Sequence, residues 1–204
     1  MNRKLLGVAA GLAILTLGAC GGTSTSGNAT TSPAPSPKAS ASAAVTPAAV
    51  DPCQVVTMSE ASQLAGANYA TSKEDTTAGG SKICWYGAQT TNVFEVLVAT
   101  APSASAAQAA WDQEKSQAAA ELQQAAAAGV SINFNISDTN LSGADRAAVG
   151  TFSGTISGQT IAGTALYFIK GVNFVAIVDL VLNKTPPTAA AMEAQGQTSL
   201  GRLP

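Results

Sequence analysis

The sequence predicts an α+β fold: a mainly antiparallel sheet of about five to six strands, with a long amphipathic helix and shorter N- and C-terminal helices packed on it. Three observations support this. Strand-length apolar or alternating runs recur between Ile83 and Leu182, several of them separated by hairpin-length turns. Residues 105–128 are rich in Ala, Gln and Glu and follow a helical period. A Thr-x-x-Glu capping signal stands before these runs, and a Pro-Pro break with a further helical stretch follows them.

The chain begins with features of export. Arg3 and Lys4 provide a positive segment, and Leu5 to Leu17 form an apolar run of 13 residues. A membrane span needs about 20 such residues, so this run suits a signal-peptide core. It ends in Leu17-Gly18-Ala19-Cys20, which resembles a bacterial lipobox. That resemblance implies a lipoprotein signal peptide over residues 1–19, cleavage after Ala19 and lipidation of Cys20. Losing Arg3 and Lys4 from the 10 basic residues leaves 8 against 12 acidic ones. Acyl chains contribute about 0.8 kcal/mol per buried CH₂, so two or three hold a protein on its membrane without a basic patch.

Residues 20–50 read as the lipidated cysteine followed by a disordered Ser/Thr/Ala/Pro tether. Lys38 is its sole charge, and Pro33, Pro35, Pro37 and Pro47 interrupt any helix. Thirty such residues average about 30 Å end to end. The composition also permits O-glycosylation. Residues 51–204 then suit a single globular domain.

Within that domain, Thr57-Met58-Ser59-Glu60 matches a capping box, Val56 is a staple candidate, and Gly66 is placed to end the helix. Residues 70–82 are polar and rich in turn formers, which predicts a surface loop. Ile83 to Gly87 and Val93 to Thr100 read as strands around polar Gln89-Thr90-Thr91-Asn92. Ser105 and Gln108 offer a second capping box. Ala107, Trp111, Ala118, Leu122 and Ala125 share one face of the helix that follows, with Trp111 its one bulky anchor. Ile132, Phe134 and Ile136 alternate with polar residues as in a half-buried strand. Strands are predicted over Ala147 to Gly154, Gln159 to Lys170 and Asn173 to Leu182. The last is nearly all apolar, which predicts a central position covered on both faces. A final helix is predicted from about Thr188 to Leu200.

Cys53 and Cys84 are an even pair in an exported domain, which predicts a disulfide. They lack C-x-x-C spacing and any neighbouring His, which argues against redox activity. Asp51-Pro52-Cys53, the Thr-x-x-Glu helix and Cys84-Trp85 together resemble actinobacterial secreted lipoproteins grouped as a domain of unknown function with Asp-Pro-Cys and Cys-Trp hallmarks. The resemblance covers about residues 50–200. It implies an envelope lipoprotein, a Cys53–Cys84 bridge and an α+β fold, and it carries no catalytic residues or ligand. By looser analogy the architecture is similar to mycobacterial lipoproteins with a PsbP/Mog1-like fold, an analogy that licenses no function.

The composition removes much catalytic chemistry. The chain contains no His, so it has no imidazole base, no Ser-His or Cys-His pair and no His-ligated metal. A net charge of −2 makes no electrostatic case for nucleic acid. Asp138-Thr139-Asn140-Leu141-Ser142-Gly143-Ala144-Asp145 imitates part of a calcium loop, but Val149 stands where the bidentate Glu is required. The glycines form neither a dinucleotide fingerprint nor a P-loop, and no nucleophile elbow is present. Asp179 stands out because it interrupts an apolar strand. Burial of a lone carboxylate is expensive, so a wet position or a cation such as Arg146 or Lys170 is expected beside it. Trp85, Tyr86 and Trp111 are candidates to line a ligand groove.

These readings converge on a lipid-anchored envelope protein on the outer face of the bacterial cell membrane. It is expected to be a non-enzymatic interaction module for an envelope protein or cell-wall component, with no cofactor and no metal. The alternative is a carrier of a small apolar or lipid ligand between helix and sheet.

Overall fold

The computed structural model describes residues 50–87, 92–127, 131–156 and 158–204. Residues 1–49, with the expected signal segment, Cys20 and the expected tether, and the polar residues 89–91 lie outside the described residues, as do the side chains of Ala118, Leu122, Ala125 and Ile132. In chain order the elements are α1 (Pro52–Val55), α2 (Met58–Leu64), β1 (Ser72–Thr76), β2 (Lys82–Tyr86), β3 (Asn92–Thr100), α3 (Ala104–Ala127), β4 (Ser131–Thr139), β5 (Arg146–Ile156), β6 (Gln159–Lys170), β7 (Asn173–Leu182) and α4 (Ala189–Leu200).

The strands form one sheet in the order β1-β2-β3-β7-β6-β5-β4, antiparallel at every junction. Seven strands correct the expected five to six, and the unexpected strand is β1. All five of its residues, Ser72–Thr76, are exposed. With no buried side chain, it leaves no apolar period to read, and backbone pairing with β2 alone places it. Its charges suit an edge, where they discourage further strand addition. Lys73 lies 3.2 Å from Asp75, and Lys82 on β2 lies 3.0 Å from Glu74.

The long amphipathic helix is the second correction. Helix α3 runs for 24 residues, but it does not separate an apolar from a polar face. Of residues 104–116, only Ala107 and Trp111 are buried. Alanine methyl groups add little apolar area to any face, so among the described side chains of the helix Trp111 makes the one bulky contact, edge-on to Phe174 with ring centroids 6.1 Å apart. At the helix start, Ser103 Oγ rather than Ser105 accepts the N–H of Ala106, at 3.1 Å.

The two sheet faces carry separate cores. Helices α1, α2 and α4 cover the first face, where Tyr86, Phe94, Leu166, Phe168, Val175 and Ile177 point. Helix α3 lies on the second, with Ile83, Leu97, Ile169 and Phe174. It carries the chain from β3 to the far edge strand β4. β7 is the middle strand, paired with β3 from Asn173 to Val181 and with β6 from Asn173 to Leu182. Its continuous apolar run meets that need for cover on both faces.

Two local structures hold the helical layer of the first face. Asp51 caps α1 by accepting the Cys53 N–H at 2.8 Å, with Pro52 at the first helical position. Cys53 then joins Cys84 on β2 in a disulfide with its Cα atoms 5.2 Å apart. Thr57 and Glu60 form a reciprocal capping box on α2, and Gly66 follows the helix at φ +57°.

Candidate functional site

The site grows from the strand period of β7. Val175, Ile177, Asp179 and Val181 alternate onto the first face, so Asp179 is carried into the interior with its apolar neighbours. It is fully buried. Across the sheet it faces Phe94 on β3 and Thr164 on β6. Asn92 begins β3 opposite Val181, which places it diagonal to Asp179 on the same face.

Tyr69, between α2 and β1, closes over this end of the sheet. Its N–H bonds Ser62 Oγ at 3.1 Å, and its ring lies 6.2 Å from both Tyr86 and Phe94. Gly87 makes the approach possible. It sits at φ +71°, and a Cβ there would stand 2.6 Å from the Tyr69 ring. The other wall is the segment after β7. Asn183, at φ +53°, exchanges bonds with Thr160, and Thr164 Oγ1 donates to the Pro187 carbonyl at 2.7 Å.

Five side-chain atoms meet here without a hydrogen-bond partner from the protein: Tyr69 Oη, Asn92 Oδ1 and Nδ2, and Asp179 Oδ1 and Oδ2. Burial pushes the Asp179 carboxyl up to about 7, with the charge of Lys184 opposing part of the rise. Burial, and then the charge of Asp179, raises the Tyr69 hydroxyl to about 12. The Asn92 amide is near enough to oppose that rise, although no hydrogen bond of normal geometry joins the two. Each unpartnered buried polar atom costs about 1–3 kcal/mol.

Neither expected partner reaches Asp179, and the position is buried rather than solvent-exposed. Arg146 donates to Asp112 at 2.8 Å, and Lys170 binds the carbonyls of Leu200 and Leu203. The three-residue groove is also corrected. Tyr86 is fully buried on the first face, where its hydroxyl donates to the Val56 carbonyl. Trp85 and Trp111 belong instead to the apolar cluster on the second face. Adjacent strand residues point to opposite sides, so Trp85 and Tyr86 cannot line one groove.

The second face holds another buried acid. Glu95 is 4% exposed, and burial raises its carboxyl to about 7. It stands between Trp85 on β2 and Val178 on β7. Tyr167 lies within its field and that of Glu114, and burial together with these charges raises the Tyr167 hydroxyl. Sequence reading missed Glu95, although it interrupts Val93-Phe94-Glu95-Val96 just as Asp179 interrupts β7. It also missed Tyr69 and Asn92, which carry no local signal.

The carboxylates of the calcium-like loop are engaged separately: Asp138 with Lys115 at 2.7 Å, Asp145 with the Gly171 N–H at 2.6 Å. Among the described residues no group of three His, Cys, Asp or Glu side chains is arranged to hold a metal ion. Chemically, the first-face cluster offers hydrogen-bond acceptors, a phenol and one acid that exchanges its proton near neutrality.

Comparison of the chain with protein-family models, curated proteins and solved structures found no match.

Proposed function

We propose that this protein is a lipid-anchored component of the bacterial envelope whose folded domain is a non-enzymatic binding module. The observation that carries the binding role is the convergence of Tyr69, Asn92 and Asp179, with five polar atoms enclosed and unpartnered by the protein. Such a cluster is costly to maintain for folding alone and gains its compensation from a ligand able to satisfy it. The anchor rests on the lipobox ending in Cys20, and the disulfide between Cys53 and Cys84 suits an exported domain. The lipobox and the Asp-Pro-Cys and Cys-Trp motifs support a place among the actinobacterial secreted lipoproteins they resemble. The polarity of the cluster favours a polar ligand over the apolar carrier alternative.

Two measurements on the full chain test this. Membrane fractionation should find the protein in the detergent phase and its Cys20→Ala variant in the aqueous phase. Native mass spectrometry of the detergent-extracted protein should show a bound small molecule or a reproducible envelope partner after cross-linking. A protein that partitions into the aqueous phase with Cys20 intact, or stays alone in the second experiment, overturns the reading. A bound lipid would favour the carrier.

A further inference from the structure

We propose that the Tyr69–Asn92–Asp179 cluster recognises a small organic cation, a primary ammonium or guanidinium group on its ligand. This rests on reading the domain as a binding module. Three observations lead to it.

The first is the balance of hydrogen-bonding groups. Asp179 brings two acceptor oxygens, and Asn92 Oδ1 and Tyr69 Oη bring two more; against their lone pairs stand only three donor hydrogens, two on Asn92 Nδ2 and one on Tyr69, so acceptor capacity is in excess. Ammonium and guanidinium groups are donors only, so they match such a set. An anion would meet a carboxylate with too few donors to offset the repulsion.

The second is the commitment of this chain's own cations. Lys73, Lys82, Lys115, Arg146 and Arg202 are each paired with a carboxylate elsewhere. Lys170 is held by two C-terminal carbonyls. Among the described residues Lys184 alone has a charge that acts on Asp179, and it makes no hydrogen bond to it. A buried carboxylate that makes no ion pair among the described residues is suited to take a cation from outside.

The third is the aromatic wall. Tyr69, Tyr86 and Phe94 form one ring cluster with centroids 5.4–6.2 Å apart, and Phe94 stands directly across from Asp179. Ring faces attract cations, most strongly where water is excluded. They also give the alkyl part of an amine an apolar surface.

The test uses the full-length, detergent-extracted protein at constant ionic strength. It is titrated with n-butylammonium and methylguanidinium chlorides, and with butyrate, 1-butanol and glycerol as charge and polarity controls. Thermal unfolding gives the affinity from the rise in midpoint. The cations should raise the midpoint where the controls do not. Asp179→Asn, which leaves the fold a neutral side chain of the same shape, should weaken binding about ten- to hundredfold. Binding should strengthen as pH rises through 7, as Asp179 ionises. Tyr69 and Lys184 are the groups acting on it among the described residues, and the Tyr69 hydroxyl, raised to about 12, keeps its proton over that range. Equal shifts from 1-butanol, or an unchanged response in Asp179→Asn, overturn the proposal. Binding of glycerol or butyrate in place of the cations overturns it while leaving the binding module standing. Failure of that broader reading shows separately, as the absence of any bound mass or partner on the extracted protein.

Discussion

Arg202 holds Glu60 through two bonds across 142 residues of chain: Nη2 to Oε1 at 2.6 Å and Nη1 to Oε2 at 2.7 Å. Arg202 Nη1 and Ser199 Oγ also donate to the Val55 carbonyl, each at 2.9 Å. The C-terminus therefore locks the junction of α1 and α2 against the sheet. The Arg202 guanidinium and the Thr57 bonds hold the Glu60 carboxyl down at about 2. A depressed folded-state value contributes stability above the unfolded value near 4, and that stability is lost as pH falls towards 2. Arg202→Ala should cost about 1–2 kcal/mol at pH 7, allowing for partial exposure of the pair. Urea unfolding at pH 7 and at pH 2.5 checks this, and the difference between the two proteins should shrink at the lower pH.

Asp179 and Glu95 respond in the opposite sense. Both folded-state values lie near 7, above the unfolded values of about 4. The folded protein therefore binds more protons between those limits, and stability falls as pH rises through that window. Asp179→Asn should flatten the decline and stabilise the protein by about 1–3 kcal/mol at pH 8, with little change at pH 4. Chemical denaturation across pH 4–8 measures it, and a variant with the wild-type slope would contradict the assignment.

The disulfide closes a loop with a sequence separation of 31. Chain-entropy arithmetic gives about 3–4 kcal/mol for a loop of this size. The Cys53→Ala/Cys84→Ala protein should unfold at a correspondingly lower urea concentration, and a reductant should shift the wild type alone.

Gly163 lies where β6 passes beneath Phe152. A Cβ there would overlap the Phe152 ring and stand 2.6 Å from the Asp179 carbonyl oxygen. Gly163→Ala should destabilise by about 1–3 kcal/mol or more, since overlap with the strand backbone is not relieved by one rotamer change. Gly158→Ala is an informative comparison. That site has open space and a φ of +78°, so only backbone strain is added. Melting temperatures of the two variants separate these causes.

Trp111→Ala should cost about 3–4 kcal/mol, because no other bulky residue among the described side chains of α3 is buried. The loss of the Phe174 contact should be visible in the near-ultraviolet circular dichroism.

Several of these features were legible along the chain. The capping box at Thr57, the turn at Gly66, the central place of β7, the anchor Trp111 and the Cys53–Cys84 pairing each follow from neighbouring residues or from simple counting. Asp179 drew notice because one acid among apolar residues is a local anomaly, and the same rule applied to Glu95 would have found it. The split of Trp85 from Tyr86 was legible too, from the period of two. β1 was not, because an exposed edge strand buries nothing and so imposes no pattern.

Residue order alone determined period, caps, turns and the alternation of faces, since these depend on groups within a few positions of one another. It left open what Asp179 meets. Tyr69, Asn92 and Asp179 are brought together by a helix-to-strand turn, a strand start and a central strand whose pairing is set by the whole sheet. Arg202 reaches Glu60 only once α4 has packed on β5 and β6. Such convergence depends on strand order and layer packing, so charge and burial at the site were decided by the tertiary fold.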